Sequence, residues 1–145
     1  MYLLDTNVVS HIAPSRTNAD AELAEWIRSR SDDLWLSVMT AAEIEDGIAK
    51  ASRAGATKKA ADLAEWWGEV RHYYAGRILP LDLATAQETG RLMDRARAAG
   101  IDPGFEDLAI AATGKLNDLI VLTRNIKDFK PLGIKFLNPF EALPR

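Results

Sequence analysis

The run Leu119–Leu122 (LIVL) constrains the fold of this chain more than any other stretch. Four consecutive aliphatic residues leave no polar face, so a strand made of them must be covered on both sides. Sheets covered on both sides are built from parallel strands joined by helices. Tyr2–Leu4, Leu34–Val38 (LWLSV) and Arg77–Leu81 (RILPL) are short apolar runs of the same kind, and Ile134–Leu137 offers a last one. Pro80 puts the third run at a sheet edge or a strand end, because proline cannot donate to the ladder.

Helical patterns fill the intervals. Asn7–His11 is ended by Pro14, and Ala19–Arg30 carries Leu23 and Ile27 on one face. A helix from Thr40 to Arg53 breaks at Gly55, and Thr57 is placed to cap the next, which runs to Tyr74. Leu63, Trp66, Trp67, Val70 and Tyr74 make its apolar stripe. Leu83, Ala86, Gly90, Met93 and Ala96 recur at spacings of three and four, predicting the buried face of a helix closed by Gly100. Phe105–Leu116 is the last. The expectation is an α/β fold with a parallel sheet and helices on both sides, formed as one domain over 1–145. A chain of this length buries about two-thirds of its unfolded surface.

The residue types limit the chemistry. There is no cysteine, and only two histidines, His11 and His72. A thiolate or imidazole-rich metal site is therefore excluded, and a metal here takes oxygen ligands, as Mg²⁺ and Mn²⁺ do. Four residues precede Asp5, which leaves no room for a signal peptide before it, and no apolar run reaches the roughly 20 residues of a membrane span. A cytoplasmic protein is expected. The net charge of −3 does not advertise nucleic-acid binding, yet carboxylates gathered at a metal site would account for it.

Acidic and amide residues fall at strand ends and helix starts in four places: Asp5-Thr6-Asn7, Glu43 in TAAEIEDGI, Asp107 in GFEDLAIAATG, and Thr123-Arg124-Asn125 leading to Asp128. In a parallel sheet these positions converge on the carboxyl edge, where ligands bind. Several carboxylates in one place repel one another unless a divalent cation neutralises them. Each residue also has a plain structural reading. Asp5 suits a helix N-cap, Thr40-x-x-Glu43 fits a capping box, and Glu106 and Asp107 sit in a first turn where the helix dipole favours acids. Those readings do not explain why all four places follow sheet-forming segments. The small, uncharged residues from Leu108 to Thr113 predict a tightly packed helix that gives Asp107 a rigid support.

LLDTN at 3–7, the AAEIEDGI block around Glu43, EDLAIAAT at 106–113 and LTRNIKDF at 122–129 together resemble the PIN-domain ribonucleases. The likeness is to the VapC-type toxins of bacterial toxin–antitoxin pairs and their FitB-like relatives. It implies a three-layer α/β/α sandwich with a mostly parallel central sheet and an endoribonuclease dependent on Mg²⁺ or Mn²⁺. Asp5, Glu43 and Asp107 match the family's acidic triad, which implies that they hold the metal and carry catalysis. Thr6 and Asn7 match residues that steady the first acid, with Thr123 in support. Position 125, often a fourth acid in the family, is Asn125 here, with Asp128 one turn later. An amide can ligate Mg²⁺ but brings no charge. The resemblance also implies an RNA substrate, a small VapB-like antitoxin and a homodimer, with the aromatic helix of Trp66, Trp67, Tyr73 and Tyr74 buried against a subunit or partner.

Arg124, Lys127, Lys130 and Lys135 cluster around the fourth block and could grip an RNA backbone, or simply form a solvated basic face. His11 is expected to pack or face solvent rather than act as a base. Two rival functions remain in view. A phosphotransferase with Asp5 as nucleophile would want a second acid at position 7, which is Asn7. A PIN-like binding module without turnover, or a solitary RNA-processing nuclease, would keep the fold without the toxin role.

Overall fold

The computed structural model describes residues 1–14 and 20–145. Five strands form one sheet, β1 (Tyr2–Leu4), β2 (Leu34–Ser37), β3 (Ile78–Leu79), β4 (Ile120–Leu122) and β5 (Phe136–Leu137), in the order β3-β2-β1-β4-β5. Every pairing is parallel, with Leu3 opposite Trp35 on one side and Val121 on the other. β3 is the edge that Pro80 foretells. The helices are α1 (Thr6–Val9), α2 (Ala21–Ser29), α3 (Val38–Arg53), α4 (Thr57–Tyr73), α5 (Leu83–Ala98), α6 (Phe105–Leu116) and α7 (Ile126–Phe129). Among the described residues no helix is long and apolar enough to cross a membrane.

Strand alternation divides the core into two layers. Leu3 and Val121 point to one face, where Leu92 and Ala96 of α5 and Leu108, Ile110 and Ala112 of α6 cover them. Leu4, Leu34, Leu36 and Leu122 point to the other, against Val8, Leu23, Ile27, Ile44 and Trp67. The result is the three-layer α/β/α arrangement.

Several expected boundaries and faces move. β2 ends at Ser37, because the Ser37 hydroxyl accepts from Met39 N at 3.1 Å and caps α3, which starts two residues before Thr40. Thr57 is the first residue of α4 rather than its cap, and Ala56 stands at the cap position with no side-chain bond. The start expected at Ala19 lies outside the described residues; α2 begins at Ala21 behind the Asp20 cap. The face of α5 is the largest correction. Thr85, Glu88, Thr89, Leu92 and Ala96 are buried, while Leu83 is 74% exposed and Met93 36%. Buried polar groups are tolerated where they are bonded. Thr89 Oγ1 donates to Thr85 O at 2.7 Å, and Glu88 accepts from Lys115 Nζ of α6 at 2.5 Å and from Arg91 at 2.9 Å. Counting apolar residues alone therefore selects the wrong stripe.

Gly114 lets α6 lie close on the sheet. A Cβ there would stand 2.6 Å from Val121 Cγ2, on a stiff β-branched side chain in a fully buried strand. Gly114→Ala should therefore destabilise the fold by about 1–3 kcal/mol through overpacking, despite gaining about 1 kcal/mol of helix propensity. Urea unfolding measures this; a raised midpoint would show that α6 has room to spare.

Candidate active site

Asp5 is the first residue past β1, and its amide extends the ladder by donating to Leu122 O at 2.9 Å. The side chain is 2% exposed and caps α1, its Oδ1 accepting from Thr6 N at 2.7 Å. Oδ2 accepts from Asn7 Nδ2 at 3.0 Å and from Thr123 Oγ1 at 2.6 Å. A carboxylate offers about four lone-pair directions, so these bonds leave Asp5 one, on Oδ1. The capping reading of Asp5 holds, and it leaves room for the site reading beside it.

The brace extends across the sheet. Thr123 donates to Asp5 and accepts from Asn125 N at 2.9 Å, while Asn7 Oδ1 accepts from Arg124 N at 3.2 Å. These bonds tie the loop after β4 to the turn after β1, and Thr6, Asn7 and Thr123 each bond to the Asp5 carboxylate.

Glu43 lies in the second turn of α3. Its Oε1 accepts from Thr6 Oγ1 at 2.8 Å, and Thr6 Oγ1 is 3.0 Å from Thr40 Oγ1. A hydroxyl has one hydrogen, and Thr6 uses it on Glu43, so Thr40 is the donor to Thr6. The capping-box reading of Thr40 and Glu43 fails here. Thr40 is already inside the helix and wholly buried, and Glu43 bonds across the sheet instead of back along its own turn. Among the described residues, Glu43 Oε2 and both oxygens of Asp107 accept no hydrogen bond.

Electrostatics joins these groups. Burial raises the Asp5 carboxyl above its ordinary range, and Glu43 adds to the shift. Burial also raises Glu43, with Asp107 and Glu106 reinforcing it. Asp107, in the first turn of α6, rises from 3.8 to about 6 through burial, then the charges of Asp5, Asp128 and Glu106. The four expected places do converge. Asp128 is the group of the fourth block whose charge reaches Asp107, whereas Asn125 is exposed at the start of α7 and its amide caps nothing.

Among the described residues, no three Asp, Glu or His side chains form a ready-made metal cage. Mg²⁺ does not need one, since it is held by one or two carboxylates with water completing the octahedron. The donor set is all oxygen, the free lone pairs belong to Asp5, Glu43 and Asp107, and their raised pKa values mark a place short of positive charge. These residues fit a hard divalent cation.

The basic residues divide. Arg124 is exposed and lies over the Phe140 ring, Cζ 3.9 Å from its centroid. Lys127 and Lys130 are exposed beside it. Lys135 leaves the group: it pairs with Asp118 at 2.6 Å, and both precede their strands, at the sheet edge opposite the acids. His11 accepts from Asp20 N at 2.7 Å and packs edge-on against Phe140, a structural role as expected. On α4, Trp67 is core, while Tyr73 is 57% exposed and lies 5.8 Å from Arg77. Thr40 and Phe140 are the site neighbours that sequence reasoning missed. Thr40 is obscured by its resemblance to a cap, and Phe140 lies in a C-terminal segment with no periodic pattern.

Comparison with known proteins gives a consistent family. A sequence model described as PIN domain matches residues 2–134. A protein named VapC ribonuclease Y4jK, from Sinorhizobium fredii, is 34% identical over 142 residues, covering 97% of this chain and 99% of that one. Toxin FitB from Neisseria gonorrhoeae is 33% identical over 142 residues, again 97% and 99%. The crystal structure of FitAcB from Neisseria gonorrhoeae superposes with a TM-score of 0.85 at 33% identity, covering 98% of this chain and 100% of that one.

The charge balance makes a pH prediction for the metal-free protein. Folded Asp107 keeps its proton to about pH 6, but the unfolded chain releases it near 3.8. Between those values the folded state binds more protons, so this group's contribution falls as pH rises and stays low above 6. Glu88, Asp82 and Asp118 have lowered values and act in the opposite sense. The informative quantity is therefore the difference between variants. In EDTA, Asp107→Asn should melt increasingly above the unsubstituted protein as pH goes from 4 to 7. A constant difference would mean that neither burial nor the neighbouring charges raise Asp107 in the folded protein.

Proposed function

The chain belongs to the PIN-domain family, and from that premise we propose that it is a Mg²⁺- or Mn²⁺-dependent endoribonuclease acting as the toxin of a VapBC-like pair. One observation carries the reading: Asp5, Glu43 and Asp107 come from three elements to the carboxyl edge of the sheet, where they raise one another's pKa. The relatives named as toxin and ribonuclease support it.

Each residue has a distinct task. Asp5 presents its remaining Oδ1 lone pair in a fixed direction, because three hydrogen bonds lock the carboxylate. Glu43 keeps Oε2 unengaged while Thr6 holds Oε1. Asp107 offers two unengaged oxygens from a rigid helix, and Asp128 adds negative charge behind it. When bound, the divalent ion supplies charge neutralisation on the phosphate, a nucleophilic water at neutral pH and support for the leaving oxygen. No histidine base is required, in keeping with the structural role of His11. Arg124, whose amide bonds Asn7, and Lys127 are exposed cations that could meet an RNA backbone, and a salt-sensitive contact is expected there. The proposal extends to partners: a small VapB-like antitoxin that blocks the cleft, and a second copy of this chain.

The purified chain, freed of any partner, should cleave RNA with Mg²⁺ or Mn²⁺ and stop in EDTA. Asp5→Asn and Asp107→Asn should reduce cleavage to background while circular dichroism stays native. Full activity in either variant, or in EDTA, rules the mechanism out. Thr123→Val removes a brace rather than a ligand, so calorimetric Mn²⁺ affinity should fall by about 10- to 100-fold. Expression should arrest growth, and co-expression of a small protein encoded beside it should relieve the arrest; arrest without such relief would favour a solitary nuclease.

A further inference from the structure

We propose that Phe140 is a positioning residue for RNA binding: its ring holds the Arg124 guanidinium beside the acidic cleft, ready to grip a phosphate of the bound strand. This rests on the ribonuclease reading and adds a specific contact to it.

The placement of Arg124 poses the question. Its neighbour Thr123 bonds Asp5, and its own amide bonds Asn7, so its Cα is fixed at the mouth of the site. A flexible cation beside several carboxylates should fold inward and pair with one. It does not: among the described residues Arg124 enters no salt bridge, and none of its guanidinium N–H donors is used. Its Cζ instead lies 3.9 Å from the centroid of the Phe140 ring. Guanidinium is planar and weakly hydrated, so it accepts an aromatic face that an ammonium would leave for water. A guanidinium held by its face keeps its edge donors free, and two parallel edge donors match a phosphate.

The ring is fixed for this task. It packs against the core layer behind β1 and β2 and, edge-on with centroids 4.9 Å apart, against His11, which is itself held by Asp20 N. Phe140 N donates to Asn138 Oδ1 at 3.1 Å, and Trp26 Nε1 anchors the chain end by donating to Pro144 O at 3.0 Å. Three separate segments thus build a platform for one exposed cation. Lys127 and Lys130 have no such support: neither lies over a ring among the described residues.

Steady-state cleavage of a short single-stranded RNA in Mn²⁺ tests the proposal. Phe140→Leu should raise KM about tenfold with kcat changed less than twofold, and Phe140→Tyr should restore KM. Arg124→Lys, an exposed change that keeps the charge, should raise KM similarly. Arg124→Ala should also flatten the dependence of log KM on log salt by about 0.7, one phosphate contact to a single strand. Adding Phe140→Leu to Arg124→Ala should cost nothing further. Unchanged KM in Phe140→Leu, or in Arg124→Lys if the former does not fold, overturns the inference while leaving the ribonuclease reading intact. Should the unsubstituted protein cleave no RNA with any divalent metal, the ribonuclease reading falls and this one with it.

Discussion

Mutual repulsion among carboxylates at the end of the sheet is the constraint around which this molecule is built. Asp5 follows β1, Glu43 is carried by α3, Asp107 opens α6 and Asp128 lies in α7, and their charges act on one another. A hydrogen bond to a charged group contributes about 1.5–3 kcal/mol, and Asp5 accepts three of them. Even so its carboxyl stays above the ordinary range, so burial outweighs the bonds. The protein holds its acids in place without neutralising them. That residual demand for positive charge suits the cleft to the divalent cation proposed for it.

Holding the acids requires rigid supports, and the two helical layers provide them differently. On one face Trp67, Leu23 and Ile27 pack behind β1 and β2 and fix the turn that carries Asp5. On the other, α6 is pressed on the sheet by small residues, with Ala109, Ile110, Ala111 and Ala112 all fully buried. Glu88 of α5 clamps the far end of α6 through Lys115, which leaves Asp107 little freedom to retreat from Asp5. Removing Lys115 would leave a carboxylate that is only 7% exposed with Arg91 as its one cation among the described residues, so the clamp has a role beyond an ordinary surface pair.

Much of this was legible in the residues. Leu119–Leu122 and Tyr2–Leu4 announce central parallel strands because they lack a polar face, and Pro80 announces the edge. Asp5 and Glu43 stand out because they follow the runs that form β1 and β2, whereas Asp107 follows the helix α5 and no strand, and the structure brings all three together. The face of α5 was not legible, since Thr85, Glu88 and Thr89 are buried by virtue of partners that periodicity cannot see. The start of α3 shifted because Ser37 serves at once as strand end and helix cap. Lys135 looked like part of the basic cluster by proximity in sequence, but one strand length separates it from the site. The Phe140 platform was invisible, since it depends on a C-terminal turn meeting the loop after β4.

At Asp5 the helix cap and the proposed ligand position share one geometry. The turn from β1 into α1 leaves the Thr6 amide without a helical acceptor, and Asp5 Oδ1 satisfies it. That bond fixes the carboxylate plane, and Thr123 and Asn7 then occupy Oδ2 completely. What remains is a single lone pair on Oδ1 whose direction is set by the backbone. Thr6 continues the logic, since its amide is the capped group while its hydroxyl orients Glu43, with Thr40 completing the chain of donors. Two adjacent residues therefore fix carboxylates on two different elements. An acid placed there without the helix start would be free to rotate, and a cap without Thr123 and Asn7 would leave Oδ2 unengaged and its own lone pairs free.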